Sequence, residues 1–176
     1  MQRTALPWQV RIGHLSLKKR AKLTTLLPRI LPWGPGRFLE IGPEKGVLAW
    51  HLKADHQGDF IHADGDAHHL RSTRELTAEP VVLIDATLPF ADASFDGVLL
   101  VDHLEHVADD QGLLAEARRV LRPGGPLLAS APRLPGAAGG RLRHFLGMRR
   151  ELYGHLRDGY TPEHLSAMVT AAGFHI

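Results

Sequence analysis

Short apolar runs alternate with amphipathic stretches along most of this chain. The apolar runs have the length of strands, and the stretches between them have the spacing of helices with an apolar face. Runs that are apolar through most of their length are typical of strands buried on both faces. The predicted strands are 37–41, 59–63, 81–84, 95–101 and 126–131, and the predicted helices are 47–54, 68–75, 110–121 and 161–172. This alternation predicts an α/β fold, in which a parallel sheet is covered by helices on both faces.

The two ends of the chain give weaker patterns. Residues 15–31 have leucines between basic residues and predict an amphipathic helix that Pro28 bends or ends early. Thr161 followed by Pro162 and an acid is a strong helix start, and Gly173 is the matching stop. The last residues, 174–176, look like the opening of a sixth strand.

Length and composition limit the class of protein. The chain has 176 residues, about the size of one domain, and 44% hydrophobic residues, which is ordinary for a globular protein. Its first residues lack the apolar core of a signal peptide, so we expect a cytoplasmic location. The absence of cysteine excludes disulfides, thiolate metal sites and a cysteine nucleophile.

The charges are distributed unevenly although the net charge is only +2. Residues 1–37 carry eight Lys and Arg and no acid, and residues 133–158 carry six Arg and two acids. The segment between them is acidic. Two basic ends suggest an anionic partner, while the plain alternative for the N-terminal run is a solvated helix face.

Each of the first four predicted strands has an acid at or just beyond its carboxyl end, where open α/β sheets bind ligands. These segments are Glu40–Gly46, Asp64–Asp66, Asp85–Ala86 and Asp102–His106. A glycine loop after the first strand suits a closely approaching ligand, Asp64 suits ribose hydroxyls, and Asp85 suits an adenine amino group. Each feature has a plain alternative: a simple turn at 42–46 or at Asp64-Gly65, or a helix cap at Asp66. Together they predict a nucleoside lying across the sheet.

The same residues resemble the class I S-adenosylmethionine-dependent methyltransferases over residues 36–176. The resemblance is carried by four blocks in the family's order and spacing: FLEIGPEKG, DATLPFADASFDGVLLVDHLEHV, LLAEARRVLRPGG and GHLRDGYTPEHLSAMVTAAGF. It implies a Rossmann-like, doubly wound, mostly parallel sheet, with S-adenosyl-L-methionine as the cofactor. It also implies two regions, a basic helical extension at 1–35 and a cofactor-binding domain at 36–176.

The resemblance also implies roles for particular residues. Glu40 and the Gly42–Gly46 loop, including Pro43, would contact the methionine part of the cofactor. Asp64 and Gly65 would hold the ribose, and Asp85 with Ala86 the adenine. Val101 and Asp102 would line the floor near the sulfonium. The implied cofactor-binding set is Glu40, Gly42, Pro43, Gly46, Asp64, Gly65, Asp85, Ala86, Val101 and Asp102.

Two features depart from the family's pattern. The middle glycine of the first motif is Glu44, which adds bulk and negative charge at the expected methionine end. Lys45 could neutralise it, or Glu44 could point outward. A strand hairpin normally follows the last helix and is missing here, which predicts an exposed sheet edge. We expect either that the sequence is a truncated version of a longer protein, or that a partner such as a second copy covers this edge.

The expected reaction is methyl transfer to an acceptor, with oxygen as the favoured acceptor atom. An oxygen nucleophile must lose its proton, and His103 and His106 are the expected bases, with His155 a further candidate. Asp102-x-x-Glu105-His106 is similar to the Glu-x-x-Glu-His element of metal-dependent O-methyltransferases. We nevertheless expect no metal, because related sequences carry Leu-Glu-His-Val without one.

Arginines interleaved with apolar residues at 133–160 suit a small-molecule or lipid- or glycan-linked anionic substrate, with membrane-surface contact through the basic segments. They would equally fit a surface helix with snorkelling arginines. Nucleic acid is not the expected partner, because aromatic residues are few and no recognition motif is visible. The first alternative is a methyltransferase-like binding or regulatory module without turnover, which Glu44 favours. An NAD-dependent oxidoreductase would share the glycine loop but would not explain the Asp85 block.

Overall fold

The computed structural model describes residues 6–85, 87–134 and 154–176. Its centre is a sheet of five parallel strands in the order β3-β2-β1-β4-β5. The strands are β1 Arg37–Ile41, β2 Asp59–Asp64, β3 Val81–Leu83, β4 Gly97–Val101 and β5 Leu127–Ser130. The order of the strands reverses between β1 and β4, with β2 and β3 on one side and β5 on the other. This reversal opens a crevice at the carboxyl ends of β1 and β4. The predicted α/β architecture is confirmed.

In the described part of the chain, six α-helices surround the sheet. They are α1 Trp8–Leu15, α2 Leu17–Ile30, α3 Val47–Asp55, α4 Ala67–Thr77, α5 Asp110–Val120 and α6 Pro162–Ala171. Side chains alternate between the two sheet faces, as a strand requires. In β1, Leu39 and Ile41 pack with α5 and α6, whereas Phe38 packs with α2 and α3. Both faces are therefore buried, which explains the continuously apolar strands.

Helix starts follow local side-chain chemistry. Asp66 caps α4 by accepting a hydrogen bond from the backbone N–H of His68 at 2.7 Å, and Asp109 caps α5 through Gly112 at 2.8 Å. Thr161 accepts from the backbone N–H of His164 at 3.1 Å, with Pro162 at the first helical position. The cap predicted at Thr161 is confirmed, as is the alternative role of Asp66 as a cap.

The helix predicted at 15–31 corresponds to α2, at Leu17–Ile30. Helix α1, which the sequence analysis does not predict, precedes it and is separated from it at Ser16. Ser16 has an extended backbone and its hydroxyl caps α2 by accepting from the backbone N–H of Lys19. Pro28 does not end α2, which continues to Ile30 and then tightens into a 3₁₀ turn at Leu31–Trp33.

The predicted sixth strand is wrong, because residues 174–176 are not in a strand. The backbone N–H of Phe174 donates instead to Val169 O at 3.2 Å and closes the end of α6. Among the described residues, β5 pairs with β4 alone, so β5 is an edge of the sheet. No helix in the described parts of the chain is both long enough and apolar enough to cross a bilayer.

Candidate functional site

A cleft of 650 Å³ lies at the carboxyl ends of β1 to β4, where the strand order reverses. Asp64, at the end of β2, and Asp85, just beyond β3, both line it. Gly42 and His103 line it from the ends of β1 and β4. The sequence prediction that acids from successive strands meet at one cleft therefore agrees with the structure.

The loop after β1 depends on glycine at two positions. Gly42 has φ +76°, and a Cβ there would lie 2.6 Å from His103 Nδ1, so the imidazole packs directly on the glycine. Gly46 has φ +73° and precedes α3, and a Cβ there would lie 2.8 Å from Thr73 Cα. Gly42 therefore shapes the cleft, whereas Gly46 lies behind it and lets α3 approach α4.

Asp64 is fixed before any ligand arrives. It is 4% exposed, and its Oδ1 accepts from the backbone N–H of Asp66 at 2.9 Å. Its Oδ2 lies 3.2 Å from His69 Nδ1, and His69 itself lines the cleft. The carboxylate is thus oriented on both sides, which suits a group that must accept hydrogen bonds in one geometry. Sequence analysis missed His69; the signal was its position in the first turn of the helix that follows Asp64.

The adenine side of the predicted site is more open. Asp85 is exposed at the rim of the cleft. The backbone N–H of Ile84 donates to Asp64 O at 3.0 Å, which ties the end of β3 to β2 and holds Asp85 beside Asp64. Gly65 lines the cleft between them. Ala86, the other predicted adenine contact, lies outside the described residues.

Two lysines from α2 line a small cavity beside the cleft and pair with carboxylates that line the cleft itself. Lys19 Nζ lies 3.3 Å from Glu44 Oε2, and Lys22 Nζ lies 2.7 Å from Asp102 Oδ2. Both carboxylates line the cleft. Burial raises the pKa of the Asp102 carboxyl, but Lys22 and the Ser130 hydroxyl outweigh burial and hold that pKa below its ordinary value. Burial likewise opposes ionisation of Glu44, and Lys19 and Lys22 lower its pKa overall.

Glu40, from the first motif, was expected to line the cofactor cleft, but it is buried beside a histidine. It is 1% exposed, and its Oε2 lies 2.7 Å from Nδ1 of His62, which is fully buried. With Pro43 and Val101 it lines a separate cavity of only 30 Å³ next to the main cleft. Glu40, Pro43 and Val101 therefore lie beside the main cleft, and their predicted contact with the cofactor stays a prediction.

The two predicted bases, His103 and His106, both line the cleft, with ring centroids 6.2 Å apart. Burial lowers the pKa of His103 below its ordinary value, which keeps the imidazole neutral and able to accept a proton. His106 Nδ1 lies 3.1 Å from Gly154 O, and its Nε2 lies 3.9 Å from Glu105 Oε1. Both nitrogens of His106 thus face protein groups, so His103 has the geometry better suited to a base.

Residues 154–160 pack beside the cleft, and Gly154 lines it. The backbone N–H of Leu156 donates to Glu105 O at 2.8 Å. Arg157 forms an ion pair with Asp110 at the start of α5, and Nη1 donates to the Tyr160 hydroxyl at 2.9 Å. The predicted substrate-covering segment at 133–160 lies largely outside the described residues, but its last part is held against the cleft.

Among the residues that the structure describes, Glu105, His106 and His155 form a group that could hold a metal ion, because one ligand atom from each lies within 4.8 Å of the others. Glu105 is 1% exposed, and burial raises its pKa to about 7. Asp102, the third member of the cation site considered from sequence, is bound instead by Lys22 and Ser130. Imidazole and carboxylate donors fit a divalent ion, but the expectation that none is used remains untested.

A parallel sheet with a cleft where the strand order reverses, a glycine loop and an acid at the end of the second strand defines an α/β protein of the Rossmann-like class. Within that class, the chain belongs to the methyltransferase-domain family. The family's sequence profile matches residues 39–129, just over half of the chain.

Named relatives agree with this assignment, and a solved structure shares the fold. A demethylmenaquinone methyltransferase of Thermus thermophilus is 29% identical over 195 residues, covering 97% of this chain and 82% of its own length. A ubiquinone biosynthesis O-methyltransferase of Parvibaculum lavamentivorans is 30% identical over 119 residues, covering 64% and 44%. The crystal structure of the [4+2]-cyclase SpnF superposes with a TM-score of 0.72 at 23% identity, covering 90% of this chain and 59% of that one. The last likeness concerns the fold alone.

The chain spans only part of several curated relatives. The first four matches cover 18%, 19%, 19% and 50% of the relatives' own lengths. The activity of the whole protein is therefore a matter for proposal.

Proposed function

We propose that the chain is an S-adenosylmethionine-dependent methyltransferase that methylates a small-molecule or lipid- or glycan-linked acceptor, at oxygen. One observation carries the proposal: Asp64 and Asp85, from neighbouring strands, line a single cleft with the Gly42 loop. Membership of the methyltransferase-domain family supports it. The cofactor, the acceptor and the residue roles below are parts of this proposal.

The adenosine half of the cofactor fits the β2 and β3 side of the cleft. Asp64 Oδ2 would accept from ribose hydroxyls, with His69 holding the carboxylate in place. Asp85, at the exposed rim, would accept from the adenine amino group. Gly65 would leave room between them because it has no side chain.

The methionine half fits the two ion pairs on the α2 side. An amino-acid end carries one ammonium and one carboxylate. The carboxylates of Glu44 and Asp102 line the cleft, and Lys19 and Lys22 of α2 pair with them from the neighbouring cavity. Lys22 would take the carboxylate and Glu44 the ammonium. Asp102 would then keep its hydrogen bond from the Ser130 hydroxyl, and Lys19, which is partly exposed, would face solvent. In this proposal Glu44 is a ligand for the cofactor, although it replaces a glycine of the family's motif.

When bound, the cofactor would supply an electrophilic methyl group on sulfur, and the protein's task is then to align the acceptor and exclude water. His103 would accept the proton of an acceptor hydroxyl, since burial keeps it neutral at pH 7. His106, fixed by Gly154 O, would line the acceptor side of the cleft. The names of the two quinone-pathway relatives support a lipid-linked acceptor.

The alternative, a methyltransferase-like module without turnover, is favoured by one observation, the presence of Glu44 in the cleft. In that case Lys19 and Lys22 would remain paired permanently with Glu44 and Asp102. The cofactor's amino-acid end would then find no partner, and only adenosine-like compounds would bind.

Titration calorimetry with S-adenosylhomocysteine tests the cofactor site. Asp64→Ala is expected to weaken binding at least about 10-fold, because a ribose would lose its charged acceptor. Asp59→Ala is the matched control, since Asp59 is an exposed aspartate at the other end of the same strand. Absence of binding at millimolar ligand would contradict the proposal, and so would equal binding by the two variants.

A comparison of two ligands tests the methionine end. 5′-Methylthioadenosine keeps the adenosine but lacks the amino-acid group. Lys22→Met is expected to weaken S-adenosylhomocysteine about 10-fold and to leave 5′-methylthioadenosine unchanged. If the wild-type protein binds both ligands equally, the module without turnover is favoured.

A further inference from the structure

Helix α1 presents an apolar stripe to solvent. Trp8, Ile12 and Leu15 lie on one helical face at i, i+4 and i+7, and they are 58%, 58% and 83% exposed. Leu17, the first residue of α2, is 80% exposed. A surface helix normally turns such a stripe toward the core, so the orientation of α1 is the reverse of the usual one.

Helix α1 is packed firmly on the domain, so the exposure of the stripe does not come from loose attachment. The opposite face of α1, formed by Gln9, Val10 and Gly13, is buried, and Val10 is fully inaccessible. A Cβ on Gly13 would lie 3.0 Å from Val47 Cγ1, which shows how closely α1 approaches α3. The domain therefore holds the stripe outward.

The stripe is surrounded by basic charge. Arg11 lies on the exposed face of α1, and Lys18 and Arg20 are exposed in the first turns of α2. Residues 1–37 contain no acid that could neutralise them. Apolar and aromatic side chains flanked by Lys and Arg are the composition of helices that lie in the interface of an anionic bilayer.

A second copy of the chain fits this face less well. A two-fold contact would bring Arg11, Lys18 and Arg20 of one copy against the same residues of the other. The repulsion of these like charges would oppose the burial of the leucines. An anionic lipid surface satisfies both the apolar and the charged parts of the face.

We infer that the stripe of α1 and the α1–α2 corner form a docking surface for an anionic lipid bilayer, with Trp8, Ile12, Leu15 and Leu17 entering the headgroup region. The basic residues contact lipid phosphates. The inference goes beyond the proposed function and does not depend on the cofactor. If both hold, docking brings the cleft near the membrane, since α2 also carries Lys19 and Lys22 to the cleft.

Co-sedimentation of the full chain with vesicles tests the inference. The protein is expected to bind vesicles of phosphatidylglycerol and phosphatidylcholine in roughly equal parts, and to bind pure phosphatidylcholine much more weakly. The double variant Leu15→Ser, Leu17→Ser is expected to lower the partition coefficient at least about 10-fold. Leu83→Ser is the matched control, because Leu83 is 60% exposed at the far edge of the sheet.

Two outcomes would overturn the inference. Binding that the leucine variant leaves unchanged would show that basic residues elsewhere attract the vesicles. Failure to bind vesicles, together with a change of oligomeric state in the leucine variant, would show that a second copy covers the face. Cofactor titration without lipid is expected to be the same for the wild type and the leucine variant, so failure here is distinguishable from failure of the proposed function.

Discussion

A buried histidine between two carboxylates makes the strongest prediction about stability. His62 is fully buried, with Nδ1 2.7 Å from Glu40 Oε2 and Nε2 2.9 Å from Glu79 Oε2. Burial alone would lower its pKa, but hydrogen bonds and attraction from Glu40 and Glu79 outweigh burial and raise the pKa to about 9. The folded protein therefore holds an imidazolium under conditions in which an unfolded chain holds a neutral ring.

The size and sign of the effect follow from linkage. The ordinary pKa is 6.5, and the difference from about 9 corresponds to about 3 kcal/mol of folding free energy. Because the folded pKa is raised, this contribution is fully present below pH 6.5 and is lost as the pH rises through about 9.

Urea denaturation followed by circular dichroism, from about pH 6 to about pH 9.5, measures this contribution. The comparison is with His62→Leu, which is expected to be about 3–5 kcal/mol less stable near neutral pH, because the buried carboxylate of Glu40 loses its partner. The difference between the two proteins should shrink by about 3 kcal/mol across the range. The double variant His62→Leu, Glu40→Leu should regain part of the loss. A difference that stays constant with pH would refute the argument.

Two further predictions concern His103 and the glycine beneath it. Gly42→Ala is expected to reduce activity and to cost more stability than Gly124→Ala, since both glycines have φ near +80° but only the first Cβ would meet His103; equal losses in thermal denaturation would remove the argument. The midpoint of the acidic limb in the pH profile of kcat/KM is expected below pH 6.5, because burial lowers the pKa of His103. His103→Asn is expected to abolish that limb. A limb that the variant leaves unchanged would assign the base to another residue.

Sequence alone predicted the sheet and the cleft because both depend on local patterns. The bounds predicted for β1, 37–41, agree with the structure, because the apolar run ends at a glycine. The pairing of Glu40 with His62 could also be predicted from the sequence. The two residues are register partners in parallel strands, and each lies three residues after the start of its strand. Parallel strands of known start place such residues side by side.

The N-terminal region could not be predicted in the same way. The periodic stripe Trp8, Ile12 and Leu15 would place those residues in a core, whereas the structure buries Gln9, Val10 and Gly13. Apolar periodicity identifies a helix face but does not identify what covers it. Likewise, the ion pair of Lys22 and Asp102 joins residues 80 positions apart, and no local pattern signals it.

The structure changes the interpretation of Glu44, the main departure from the family's motif. Glu44 has φ +51°, so its backbone adopts the left-handed conformation that glycine adopts most readily. That conformation costs about 1–2 kcal/mol for a residue with a side chain. Lys19 holds the carboxylate, and the cleft still measures 650 Å³. A charged residue at a strained position, partnered by a lysine, agrees with the role at the cofactor's ammonium group that we propose for Glu44.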